Sequence, residues 1–202
     1  MPSFSALLMA HIRGAKRETV AIDPRRREVV IANLTFLYTA VLASEQLLVD
    51  ATAAADLLSQ DDFNGRLVDY YRTHLEEERG HAAWLRDDLA SVGATPDLPD
   101  MRAVAMVGTQ YYLLKHVHPA ALLGYMAVVE GDPTPEPVVA RLEQIHGKEL
   151  FRFVRFHARK DLEHRKELCR LIDRASNAIH QHISYSAGIT LDYFARAAAT
   201  WG

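Results

Sequence analysis

The stretch Phe156 to His164, FHARKDLEH, decides how this chain is read. Its charges are those of an ordinary helix surface, yet His157, Asp161 and His164 recur at intervals of four and three. An α-helix advances about 100° per residue, so these side chains share a stripe about 60° wide. Two imidazoles and a carboxylate then point the same way. A chain of 202 residues with ten histidines and 24% charged residues can produce such a stripe by chance. The reading therefore turns on whether other helices bring ligands to the same place.

Working outward, helix signals dominate and strand signals are nearly absent. Asp23-Pro24 predicts an N-cap and first helical residue, with a long helix running to about Leu58. A second helix is expected from Asp62 to Val92, ended by Gly93 with Pro96 and Pro99 beyond it. After LPDMR, helical sequence runs to about Gly108 and a new helix from Thr109; His118-Pro119 marks a kink or restart, and GDPTPEP ends the run after Glu130. Val138 to His146 reads as a shorter helix closed by Gly147, and Lys148 to Trp201 as helix with breaks. About six to eight helices with short connections make an all-α bundle, expected as a single domain over residues 1–202.

Composition narrows the function classes. Hydrophobic residues make up 49%, and the formal net charge of −3 comes from signs mixed throughout, so nothing points to nucleic acid. RGAKRE and DPRRRE near the start are short, interleaved with acids, and read as a solvated helix start. The run Val29 to Ser44 is interrupted by Asn33, Thr35, Tyr38 and Thr39, which suits a buried helix better than a membrane span. The single cysteine, Cys169, fits a reducing compartment, and MPSFSALLMAHIRG lacks a basic signal-peptide start, so the expected location is cytoplasmic.

Carboxylates occur where the pattern otherwise excludes charge. Between Val29 and Val49 the one charged residue is Glu45. A lone carboxylate in an apolar helix is costly unless it meets a cation or a metal, so something cationic is expected beside it. Glu130 likewise ends the run Val117 to Val129, which holds no Asp, Glu, Lys or Arg. It either joins the same site or simply faces solvent at a helix end. HLEEERGH, His74 to His81, adds a fourth contribution. On a continuous helix His74, Glu77 and Glu78 lie about 20°, 40° and 60° from His81, so all three are possible partners for a metal held there. Glu78 to His81 is also an E-x-x-H, a spacing by which one helix supplies two ligands to a carboxylate-bridged pair of irons. Glu45, Glu78, His81, Glu130, His157, Asp161 and His164 together are four carboxylates and three imidazoles. Oxygen and nitrogen ligation without thiolate suits iron or manganese, and that many ligands suit two ions.

These residues resemble the haem-oxygenase-like diiron oxidases and oxygenases, the iron-containing redox enzymes. The resemblance spans Glu45 to His164 and rests on Glu45, HLEEERGHAAWLRDDL, QYYLLKHVHPAALLGYMAVVEG and the H-x-x-x-D-x-x-H of His157, Asp161 and His164. It implies a haem-oxygenase-like seven-helix bundle holding two Fe ions (Fe2+/Fe3+), with O2 as co-substrate activated through a peroxo-diferric state. It implies His81, Glu130, His157, Asp161 and His164 as ligands, with Glu45. The second ligand on the His81 helix stays open between Glu78, which we favour, and His74. The activities it implies are N-oxygenation or oxidative C–C cleavage of an amino-acid, amine or fatty-acid derivative. The alternatives are a metal-free thiaminase- or PQQ-synthase-like enzyme of the same fold and a non-enzymatic iron-binding bundle. A small-molecule substrate is expected, with no nucleic acid or membrane partner and a possible homodimer. Tyr111, Tyr112, His116, His118 and Tyr125 are weaker candidates for a substrate cavity, since aromatics at helical spacing are more often core.

Overall fold

The computed structural model describes residues 1–19, 23–58, 61–96 and 98–201. Among these the chain forms nine α-helices and no strand: α1 (Phe4–Thr19), α2 (Arg27–Asp56), α3 (Asp62–Glu78), α4 (His81–Ala90), α5 (Met101–His116), α6 (Leu122–Val129), α7 (Glu136–His146), α8 (Arg152–Ile172) and α9 (Asn177–Ala198). The predicted all-α bundle is what forms, with one helix more than the upper expectation.

The departures have local causes. Phe4–Thr19 is a full helix, α1, whose Leu8, Met9 and Ile12 are buried in the main core, so RGAKRE forms the end of a packed helix rather than a helix start. Asp23 caps a turn and not α2: its carboxylate accepts the Arg25 N–H at 3.0 Å and its carbonyl the Arg26 N–H at 3.2 Å, which delays α2 to Arg27. The expected break at Gly108-Thr109 is absent, because Gly108 sits exposed inside a continuous α5 capped by Asp100. The expected helix from Asp62 to Val92 is instead two. Gly80 adopts φ +84°, a left-handed conformation that costs a side-chain-bearing residue but not glycine, and it separates α3 from α4. His118-Pro119 restarts the chain as expected, through a 3-10 turn Pro119–Ala121 in which His118 Nδ1 accepts the Ala120 N–H. Gly147 closes α7.

Helix α2 lies at the centre and packs against α3, α4 and α5. It is the one helix among the described residues long and apolar enough to cross a membrane, and here Phe36, Ala40, Ala51 and Ala55 are fully buried against its neighbours. Two apolar clusters result. The larger joins Phe36, Leu47, Tyr71, Met106, Leu122 and Ile183, and the smaller joins Leu34, Leu85, Leu89, Leu150, Phe151 and Phe153. The buried carboxylate of Asp88 on α4 accepts the Phe153 N–H at 2.8 Å and the Arg152 Nε–H at 2.7 Å. A buried backbone donor needs such a partner, and this joint fixes the first turn of α8 and hence the direction in which its stripe faces.

Candidate metal centre

The stripe on α8 faces inward. His157, Asp161 and His164 are all buried, on the side of the helix that also buries Phe153, Ala158, Leu168 and Ile172. Opposite them, α3 contributes His74 and Glu78 from successive turns, α4 contributes His81 at its first residue, and α6 delivers Glu130 at its C-cap. Glu130 does not face solvent: its side chain is 15% exposed and lies 3.1 to 3.2 Å from His74 Nε2.

The ligand atoms gather in two trios, each within 4.8 Å: His74, Glu130 and His164 in one, Glu78, His81 and His157 in the other. Glu78 lies between them. Its Oε2 is 2.9 Å from His81 Nδ1 and 3.5 Å from His157 Nε2, while its Oε1 is 3.9 Å from His164 Nδ1. Asp161 Oδ1 lies 3.5 Å from the same His164 nitrogen. Both candidates for the second ligand, His74 and Glu78, lie in the cluster, one in each trio.

Whether these residues fit metal is tested by their unmet hydrogen bonds. Seven buried side-chain polar atoms among the described residues lack a hydrogen-bond partner, and five of them are here: Glu78 Oε1, Glu130 Oε2, His157 Nε2, Asp161 Oδ1 and His164 Nδ1. An unpaired buried polar atom costs about 1–3 kcal/mol, so five converging on one place mark a cluster whose hydrogen bonding a bound cation would complete. The outer nitrogens are already committed. His157 Nδ1 donates to the Phe153 carbonyl at 3.0 Å and His164 Nε2 to Glu77 Oε2 at 3.0 Å, which orients the inner nitrogen of each ring toward the cluster. Glu77 in turn accepts from Lys160 at 2.9 Å. The sequence offered Glu77 only as one possible partner of His81; its contact with His164 needs α3 and α8 side by side.

Glu45 stands apart from both trios. It is half-buried, and its partner is not a cation: Oε1 accepts the Gly80 N–H at 2.7 Å. The break at Gly80 opens the N-terminus of α4, whose free donors and dipole favour a carboxylate. That local donor replaces the cation the apolar surroundings of Glu45 had suggested.

A cavity of about 650 Å3 opens beside the cluster, walled on one side by His74, Glu78, Glu130, His157 and Asp161 and reached also by Glu45. Of the five aromatic cavity candidates, Tyr125 alone lines it, with its hydroxyl 3.4 Å from Ser44 Oγ.

Burial by itself would depress His74, His157 and His164, but Glu130, Glu78 and Asp161 outweigh it and hold all three imidazoles above the usual histidine range. Burial likewise pushes Glu78 up, and His157 and His81 overcome it, leaving the carboxyl well below the usual range. Burial raises Asp161 despite His164 beside it. Without metal, these imidazoles therefore hold their protons to higher pH than a free histidine does, and a cation must displace them. Metal affinity should fall on acidification through their raised pKa values and level off above them, by roughly tenfold per pH unit for each proton displaced. Mn2+ titrations followed by calorimetry across pH 5.5 to 8.5 check this, and a flat profile would contradict it.

The sequence profile of the family described as "iron-containing redox enzyme" matches residues 73–192, which include both trios and Asp161 but not Glu45. No curated protein matches the chain in sequence. Among solved structures, a TenA homologue from Pseudomonas syringae pv. tomato str. DC3000 superposes with a TM-score of 0.74 at 12% identity, covering 99% of this chain and 93% of that one. A domain of unknown function with a heme oxygenase-like fold from Shewanella denitrificans OS217 gives 0.71 at 15% identity, covering 97% and 89%. A CADD-like protein of unknown function from Nostoc punctiforme PCC 73102 gives 0.62 at 16% identity, covering 97% of each chain. At these identities the likeness is one of fold: the haem-oxygenase-like bundle.

Proposed function

Because the chain belongs to the iron-containing redox enzyme family, we propose that it is a nonhaem diiron oxygenase or oxidase, using O2 to oxidise a small amino-acid, amine or fatty-acid derivative. The observation that carries this reading is the convergence of five unpaired buried ligand atoms from α3, α6 and α8 on one point beside a cavity. His74, Glu130 and His164 would hold one iron and Glu78, His81 and His157 the other, with Asp161 beside His164 as a further oxygen ligand. Two ferrous ions in such a set supply the binding and reduction of O2.

The chain's own residues do the rest. Glu78 turns one oxygen to each half and keeps the two sites coupled. Glu77 and the Phe153 carbonyl hold the outer protons of His164 and His157, so the inner nitrogens stay available. Apolar walls around the cavity exclude water from the oxidising centre and bring a substrate against Glu130 and His157. A largely apolar cavity of this size beside the cluster has no use in a bundle that only stores iron, which supports an enzyme. A reducing cytoplasm, suggested by the lone Cys169, suits a ferrous site.

The test is an anaerobic ferrous titration of the full chain followed by admission of O2. About two irons per chain with O2 uptake is the expected result. No iron binding would overturn the proposal.

A further inference from the structure

His81 is the first residue of α4, and Trp84 stands one turn further along the same helix. Their rings are in contact, with centroids 4.7 Å apart and planes tilted by 38°. Phe156 on α8 completes the group. Its ring lies 5.3 Å from both Trp84 and His81 and 5.2 Å from His157, meeting each edge-on. Trp84 is 44% exposed and Phe156 39%, so the pair forms an outer wall over the trio of Glu78, His81 and His157. Neither residue lines the cavity, which meets the cluster at His74, Glu78, Glu130, His157 and Asp161. The centre thus has two approaches. One is the cavity, and the other is an exposed indole in ring contact with a candidate ligand.

We propose that Trp84 is an electron relay, passing single electrons from solvent-side donors through His81 to the oxidised metal centre when no substrate fills the cavity. This rests on the diiron reading above. Reduction of O2 to two waters takes four electrons and four protons. Two electrons come from the two ferrous ions, and a bound substrate provides the other two, so an empty cavity leaves the centre two electrons short. Trp84 supplies one: its indole loses an electron to the centre, the N–H bond breaks, and the proton leaves to solvent. A neutral indolyl radical remains. A small one-electron reductant such as ascorbate then returns an electron, water returns a proton, and the indole is restored for a second passage. Electron transfer weakens steeply with the gap to be crossed, which is why ring contact with His81 matters, and the indole spreads the unpaired electron over two fused rings. Exposure supplies the proton's exit. Two other aromatics lack that exit. Tyr70 stacks on His74 at 5.6 Å, but its hydroxyl is buried and has no hydrogen-bond partner among the described residues. A phenol that loses an electron must also shed its proton, and no acceptor is placed for it. Trp201, the second of the chain's two tryptophans, is 7% exposed, has its N–H buried without a partner, and packs on Phe36.

The test is rapid-freeze electron paramagnetic resonance on the full chain, loaded with ferrous iron and mixed with O2 without substrate or ascorbate. Protein carrying ordinary tryptophan is compared with protein carrying ring-deuterated tryptophan. An organic radical whose spectrum narrows on deuteration is expected. Trp84→Phe should lose that signal while still binding about two irons, and Trp201→Phe should keep it. With ascorbate present the radical should not accumulate, and O2 uptake should continue beyond the first turnover in the native chain but not in Trp84→Phe. O2 uptake with no radical, a radical that deuterated tryptophan leaves unchanged, a signal that survives Trp84→Phe or vanishes in an iron-loaded Trp201→Phe, or ascorbate-supported uptake unaltered by Trp84→Phe would overturn the relay and leave the oxidase reading standing. Absence of O2 uptake by the native chain would overturn both.

Discussion

Glu78→Ala should reduce iron binding from about two per chain to one at most, and lower O2 consumption by at least about 100-fold. Under the proposed assignment Glu78 is the carboxylate that faces both trios, with Oε2 at 2.9 and 3.5 Å from His81 and His157 and Oε1 at 3.9 Å from His164. Its loss removes the oxygen ligand of one site and the link between the two. Outer partners of metal ligands alone are worth roughly 10- to 100-fold in affinity or activity, so a carboxylate that would serve both proposed sites should cost at least the upper figure. His74→Ala makes the informative comparison, because His74 touches only the Glu130 side. It should leave the His81 site filled, with about one iron per chain. Colorimetric iron counts on the two variants, with thermal melts to confirm folding, decide the matter. Two irons retained by Glu78→Ala, or a silent His74→Ala, would break the assignment of one trio to each ion.

Gly124→Ala should destabilise the protein by at least about 3 kcal/mol, a large effect for one methyl group. Helices α6 and α9 approach so closely at this point that a Cβ on Gly124 would lie 2.1 Å from the Ile183 carbonyl oxygen and 2.8 Å from the Ala187 nitrogen. Both are backbone atoms of α9 and cannot swing aside as a long side chain does. The two helices must separate, and α6 carries Glu130 at its C-terminal end, so iron binding at the His74 trio should weaken together with stability. Gly14→Ala provides the control. Gly14 is exposed in the interior of α1, and an added Cβ there meets nothing within 4 Å. That change should be neutral or stabilise by roughly 0.5–1 kcal/mol through helix propensity. Urea unfolding of both variants separates a packing effect from a general intolerance of alanine, and equal stabilities would refute the close-approach argument.

Much of the centre could be read along single helices. His157, Asp161 and His164 lie on one face because four- and three-residue steps return to the same side of any α-helix, whatever surrounds it. Glu130 stood out because a long run without charge preceded it, and it proves to be turned inward. Glu45 stood out by the same logic and proves different: its carboxylate is met by the Gly80 N–H, a donor that exists only because the chain breaks there. Pattern identifies a carboxylate in need of a partner, while the partner comes from a helix break 35 residues away in the chain. Lys16, which lines the cavity, gave no signal at all, since RGAKRE reads as surface until α1 is seen folded along the cavity.

Sequence by itself determined the helical class, the restart at His118-Pro119 and the stripe on α8, because each follows from local periodicity and backbone chemistry. Tertiary structure decided the relation of His74 to Glu78. On a continuous helix both residues and His81 compete for one site, and no count of degrees separates them. Gly80 breaks that helix with its left-handed turn, sets α4 on a new axis, and leaves His74 to meet α6 while Glu78 meets His81 and His157. Local spacing governs which side chains share a face. Which faces meet depends on how distant segments pack, through contacts such as Asp88 holding the start of α8, and those contacts have no local sequence signature.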